Sequence, residues 1–172
     1  MKNNFYHYSQ NPLIDVNQRE IVFGDTYDET RKPGKYYLRP YFKPEGLWFS
    51  LENDDELYDG SWSDFCHQSE IMCSRLIYKY YVRLTTDANV LILDTVADMY
   101  KFRKNYQYTN EAPLYRDLAI CWQDVAKEYQ GIIIAPYHYS LRLHPDFHWY
   151  HPWDCASGCV WDIYTVQSIK LQ

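Results

Sequence analysis

The chain has 172 residues, 47% of them hydrophobic and 23% charged, with a formal net charge of −6 and a pI near 5.4. That length predicts a single domain over residues 1–172 with a core of its own, and the acidity argues against a protein that holds long duplex DNA by its phosphates. No segment approaches the roughly 18 apolar residues needed to span a bilayer, and residues 1–10 lack the apolar run of a secretory signal.

In chain order, residues 4–9 read as an aromatic strand, ended by the turn-prone Gln10-Asn11-Pro12. Ile21-Val22-Phe23 and Tyr36-Tyr37-Leu38 are candidate short strands, and 46–51 reads as a strand after the turn at Gly46. Asn53-Asp54-Asp55-Glu56 reads as a solvated acidic loop or the start of a helix. Residues 63–70 read as a helix capped by Ser61 or Ser63. Two strands follow at 78–84 and 90–93. Asp94 or Thr95 then caps a helix to about Tyr106, with Val96, Met99, Tyr100 and Arg103 at helical spacing.

A further helix is expected over 117–129, where Leu118, Cys121, Trp122, Val125 and Tyr129 recur on one face. Gly131 leads into the apolar strand 132–134, and 158–161 and 165–170 complete the strands. Strands outnumber helices and few helices separate them. The fold class expected is α+β, with a mostly antiparallel sheet.

The five cysteines, Cys66, Cys73, Cys121, Cys155 and Cys159, are odd in number and follow no signal, which predicts reduced thiols and a cytoplasmic location. The 19 tyrosines, six tryptophans and seven phenylalanines admit two readings, a compact aromatic core or a cleft that stacks a planar ligand.

Two segments carry the chemistry. Tyr6-His7-Tyr8-Ser9 ends the first strand with groups that can bond a sugar hydroxyl or a diphosphate. In Lys43-Pro44-Glu45-Gly46-Leu47-Trp48-Phe49-Ser50, strand alternation sends Leu47 and Phe49 to one face and Trp48 and Ser50 to the other.

"FYHYS" resembles the first-strand motif, and "KPEGLWFS" the second glycine-led strand motif, of ADP-ribosyltransferases of the diphtheria-toxin and poly-ADP-ribose-polymerase type. The separation of about forty residues also fits. The resemblance implies an ADP-ribosyltransferase-like split sheet and NAD as substrate. It implies that His7 holds the NAD ribose with Ser9 beside it, and that Trp48 or Phe49 stands where the family has its tyrosine. His7, Trp48 and Ser50 are then expected to line one cleft, and Arg39 and Arg142 become candidates for the diphosphate. The family's acidic residue at the start of a late strand falls near Ser157, which is not acidic. Asp154, three residues earlier, is the substitute and is paired with His7 as catalytic, with Glu45 and Glu111 next in line. Breaking the bond to nicotinamide passes through an oxocarbenium-like state that a carboxylate stabilises.

A rival for chemistry is the run His144, His148, His151, Cys155 and Cys159, all zinc-ligand types. Its irregular spacing lacks the CxxC pairs of common structural sites, and no metal is expected. Lys101, Arg103 and Lys104, interleaved with Tyr100, Phe102, Tyr106 and Tyr108, suit single-stranded nucleic acid or a solvated helix face.

The expected function is an NAD-dependent mono-ADP-ribosyltransferase acting on a macromolecule, either a protein or RNA or single-stranded DNA. By analogy alone, small proteins of this appearance are toxins of toxin–antitoxin or phage-defence systems, which makes an antitoxin protein an expected partner, and the lack of a bilayer-length apolar segment argues against a membrane partner. The alternative is a non-catalytic module that binds a nucleotide or peptide in an aromatic cleft.

Overall fold

The computed structural model describes residues 4–12, 43–53, 60–70, 73–108 and 118–172. The described strands are β1 (Asn4–Ser9), β2 (Leu47–Glu52), β3 (Tyr78–Leu84), β4 (Val90–Leu93), β5 (Gly131–Ile134), β6 (Ser157–Val160) and β7 (Val166–Leu171). They form one seven-stranded sheet in the order β4-β5-β6-β2-β1-β3-β7. Every neighbouring pair is antiparallel except β4 and β5. The helices α1 (Trp62–Ser69), α2 (Val96–Tyr106) and α3 (Trp122–Glu128) complete an α+β arrangement dominated by antiparallel pairing. The candidate strands at 21–23 and 36–38 and the acidic residues 54–56 lie outside the described residues.

The helix boundaries follow from their caps. The Ser61 hydroxyl accepts from the Asp64 amide at 3.3 Å and opens α1, which closes at Glu70 in the left-handed region with φ of 55°. Thr95 and Asp98 form a reciprocal capping box at the start of α2. The helix expected over 117–129 is shorter: α3 begins at Trp122. The backbone just before it is committed elsewhere. Ile120 bridges Gln107, the Tyr108 amide donates to the Ala119 carbonyl at 2.8 Å, and the Cys121 amide donates to Tyr106 at 2.7 Å. Groups spent on cross-chain bonds cannot start an i→i+4 ladder.

β4 and β5 run parallel because α2 and α3 lie between them in the chain and return it to the same end of the sheet. Their inward residues build the larger core. Leu93, Ile132, Ile134 and Cys159 pack with Met99 and Phe102 of α2, with Trp122 and Val125 of α3, and with Phe147, Trp149, Tyr150 and Trp153. These last four come from a stretch of short 3-10 turns, Tyr139–Leu141 and Pro145–Tyr150, and the chain after it. Trp122, Trp149 and Trp153 are exposed by 1% or less, so much of the aromatic content is core. On the other face of the sheet, Leu47, Phe49, Leu51, Val82, Ile133 and Val160 form a second cluster. No helix among the described residues is long and apolar enough to cross a membrane.

Candidate active site

β1 and β2, which carry the two motif segments, are neighbours in the sheet, but only briefly. Their pairing runs from Asn4 opposite Glu52, through Phe5 opposite Leu51, to Tyr6 opposite Ser50. β1 continues to pair with β3 as far as Ser9 opposite Tyr78. β2 stays paired with β6 back to Leu47 opposite Val160. The ladder between β1 and β2 therefore parts at His7 and Trp48, while each strand stays tied to its outer neighbour.

His7 bridges the parted ends. Its Nδ1–H donates to the Trp48 carbonyl at 2.7 Å. A carbonyl only accepts, so the proton sits on Nδ1 and Nε2 of the neutral ring is an acceptor. Burial lowers the His7 pKa below the ordinary value of 6.5, against the opposing effect of the Trp48 bond, and favours this neutral form.

Trp48 is partly exposed. Its indole N–H donates to the Pro44 carbonyl at 3.2 Å, its ring meets Trp153 edge-on at 4.8 Å between centroids, and the Lys43 ammonium stands 4.7 Å from its centroid. Phe49, the other candidate for stacking, is 2% exposed and packs on Phe5 at 4.9 Å. It has no open ring face to offer, because it belongs to the core of the opposite side.

Ser50 is 3% exposed, and its hydroxyl accepts from the Trp62 amide at 3.0 Å, which ties the start of α1 to β2. Ser9 uses its hydroxyl in its own turn, donating to the Asn11 carbonyl at 2.6 Å and accepting from the Asn11 amide at 3.2 Å. The expectation that His7, Trp48 and Ser50 line one cleft needs correcting. Tyr6 and Ser50 are partners and share a face, so alternation puts His7 on the other face with Phe5. His7 reaches β2 through a backbone carbonyl and not across a shared surface. Arg39 and Glu111 lie outside the described residues.

Asp154 accepts from the Arg142 guanidinium at 2.8 Å, with 18% and 31% of the two side chains exposed. Burial raises its pKa above the ordinary 3.8, while Lys43 and Arg142 pull it down. The net direction is upward even though the ion pair is close, because both cations also face solvent and desolvation outweighs them. Asp154 follows Trp153, which touches Trp48, whose carbonyl holds His7. The fold thus links His7, Trp48 and Trp153 by contact, and Asp154 is joined to them along the chain.

Three residues near these groups were given no role by the sequence reading. Lys43 and Trp153 carry no periodic signal, and only the fold brings them to Trp48. Glu52 ends β2 on the Trp48 and Ser50 face, where alternation alone would have placed it. Its carboxylate, 8% exposed, accepts from the Tyr8 hydroxyl at 2.8 Å and pairs with Lys79 at 2.9 Å. Burial, reinforced by Glu52, pushes the Tyr8 phenol up.

The histidine and cysteine run does not converge. His144 accepts from the Asp146 amide at 3.2 Å, the His148 and His151 rings meet tilted at 56° with centroids 4.7 Å apart, and Cys155 and Cys159 are buried. Among the described residues no group of three or more His, Cys, Asp or Glu is placed to hold a metal ion. All five cysteines are free thiols, and burial pushes the Cys155 thiol up to about 12. The basic and aromatic run of α2 is divided: Phe102 is core, Arg103 pairs with Asp146 at 3.3 Å, and Lys101 and Lys104 are exposed. No protein-family model, no curated protein and no solved structure matches the chain.

Proposed function

We propose that this protein is an NAD-dependent mono-ADP-ribosyltransferase whose NAD site is formed where the β1–β2 ladder ends, at His7 and Trp48. The observation that carries the reading is the parting of the β1–β2 ladder at His7 and Trp48. Those two residues stand at the matching places of the two family-like motifs, on strands that pair as the resemblance requires. His7, with its proton fixed on Nδ1, presents Nε2 to accept from a ribose hydroxyl. The partly exposed Trp48 ring, which leaves β2 on the face opposite His7, is the surface proposed for nicotinamide, with the nicotinamide–ribose bond at the parted strand ends between the two side chains. Asp154, steadied by Arg142, is the carboxylate proposed to stabilise the oxocarbenium-like state as the glycosidic bond breaks. Nicotinamide leaves, and a nucleophile of the acceptor takes the ADP-ribosyl group. Incubation with adenylate-labelled NAD and a cell lysate tests this. Label that survives on protein after nuclease treatment, or on nucleic acid after protease treatment, supports the reading and names the acceptor class.

One observation favours the rival, a non-catalytic module that binds a nucleotide. The position near which the resemblance asks for an acid holds Ser157, 7% exposed, with its hydroxyl donating to the Cys155 carbonyl at 3.1 Å. The rival predicts NAD binding with no label transferred and no nicotinamide released.

A further inference from the structure

The Trp48 ring already carries a cation. Lys43 Nζ lies 4.7 Å from its centroid and 6.0 Å from that of Trp153, and its charge is felt at Asp154 and Cys155. Lys43 enters from the chain just before Gly46, where a side chain has no room: a Cβ at Gly46 would collide with the Val160 carbonyl of β6. The approach of residues 43–46 to the sheet is thereby fixed, and with it the base of the Lys43 side chain. An ammonium within about 6 Å of an indole face is held by the ring quadrupole. A planar cationic ring is held by the same face for the same reason, and both cannot occupy it together.

We propose that Lys43 is a built-in occupant of the Trp48 platform, displaced when a planar pyridinium such as the nicotinamide end of NAD binds. This deepens the NAD reading and rests on it for the identity of the natural ligand. The exchange is a selectivity device. A cationic ring replaces one cation–π contact with another, whereas a neutral ring of the same shape gives up the contact and gains only stacking. The site should therefore prefer the oxidised, charged nicotinamide to a neutral one. The displaced ammonium stays on a four-carbon tether and remains close enough to meet the Asp154 carboxylate or a phosphate.

The probe is 1-methylnicotinamide, a pyridinium with no ribose or phosphate, compared with neutral nicotinamide. The readout is the NMR shift of the Lys43 ε-methylene, which the Trp48 ring current moves upfield. The proposal expects that upfield shift in the free protein, its loss in Trp48→Ala, and its return toward the ordinary lysine value as 1-methylnicotinamide saturates. Lys43→Met should bind the cation about fivefold more tightly, a factor of the size of one cation–π contact. Lys43→Arg should bind it more weakly than the parent, because guanidinium stacks better on indole. A mere charge effect would leave Lys43→Arg unchanged, and that result would overturn the proposal. So would binding of the cation with the ε-methylene still upfield, or no binding of the cation by either the parent or Lys43→Met. If the exchange is seen but no variant transfers label from NAD, the transferase reading fails and the Lys43 exchange stands.

Discussion

The imidazole of His7 and the carbonyl of Trp48 are joined by a 2.7 Å hydrogen bond at the point where the β1–β2 ladder ends. This bond replaces the next rung of the sheet with a side chain. It fixes the tautomer and ties the two strands together beyond their last paired residues. The geometry separates two jobs of His7 that substitution can test one at a time.

The amide nitrogen of Asn occupies the place of Nδ1 but offers nothing at the place of Nε2. His7→Asn is expected to keep the Trp48 bond and the parent stability, and to lose NAD affinity. His7→Ala should lose affinity too, and should also cost about 1–3 kcal/mol of stability by leaving the carbonyl without its donor. Urea unfolding with NAD titration of both variants separates the effects. Equal NAD affinity in His7→Asn and the parent would remove Nε2 from the site.

Asp154→Asn should bind NAD as the parent does and transfer more slowly. The amide keeps an oxygen for Arg142 and loses the charge. Loss of about 3 kcal/mol of transition-state stabilisation is roughly a hundredfold in rate. Single-turnover nicotinamide release measures it. A rate within about twofold of the parent would mean that another carboxylate, Glu45 first, or none, stabilises the charge.

Much of the fold was legible from local pattern. Aromatic and β-branched runs marked the described strands, and of the paired cap candidates Ser61 or Ser63 and Asp94 or Thr95 the fold uses Ser61 for α1 and Thr95 for α2. What failed depended on distant partners. The residues before Trp122 have helical periodicity, but their backbone pairs with 106–108. Alternation correctly put Trp48 and Ser50 on one face, yet could not show that the Ser50 hydroxyl is taken by the Trp62 amide twelve residues on. Nor could it show that Phe49 is sealed by Phe5, or that Lys43 folds back over Trp48. The parting of β1 from β2 is a property of register, which no single segment encodes.

Gly158 sits in β6 where a side chain has no room. A Cβ there would stand 2.5 Å from the Phe49 ring and 2.9 Å from Ile133. Gly158→Ala is expected to cost about 1–3 kcal/mol through overpacking. Adding Phe49→Leu should recover part of that loss, because the smaller side chain yields the space. Denaturant midpoints of the two single variants and the double variant check this. Purely additive losses would place the strain elsewhere.

Acid should destabilise the protein from just below neutrality. Burial lowers the pKa of His7, His138 and His151 below 6.5 in the folded chain. The unfolded chain then binds more protons between each folded value and about 6.5, so stability rises with pH through that window. It is fully present above about 6.5 and lost as pH falls toward the folded values. Asp98 and Asp124, whose pKa values are lowered from 3.8, titrate below this window. A urea midpoint lower at about pH 5.5 than at about pH 7.5 is expected, and His138→Gln should flatten the difference. A midpoint that rises on acidification would contradict the assignment.

The central claim is that NAD binds where the β1–β2 ladder ends and is split there, with its ADP-ribosyl group handed on. The most direct measurement follows adenylate-labelled NAD with purified protein and lysate, counting nicotinamide released and label retained on macromolecules in the parent and in His7→Asn. The account predicts release and retention in the parent, both strongly reduced in His7→Asn with the fold intact. NAD that stays whole with the parent protein, or label transferred equally by His7→Asn, would contradict it.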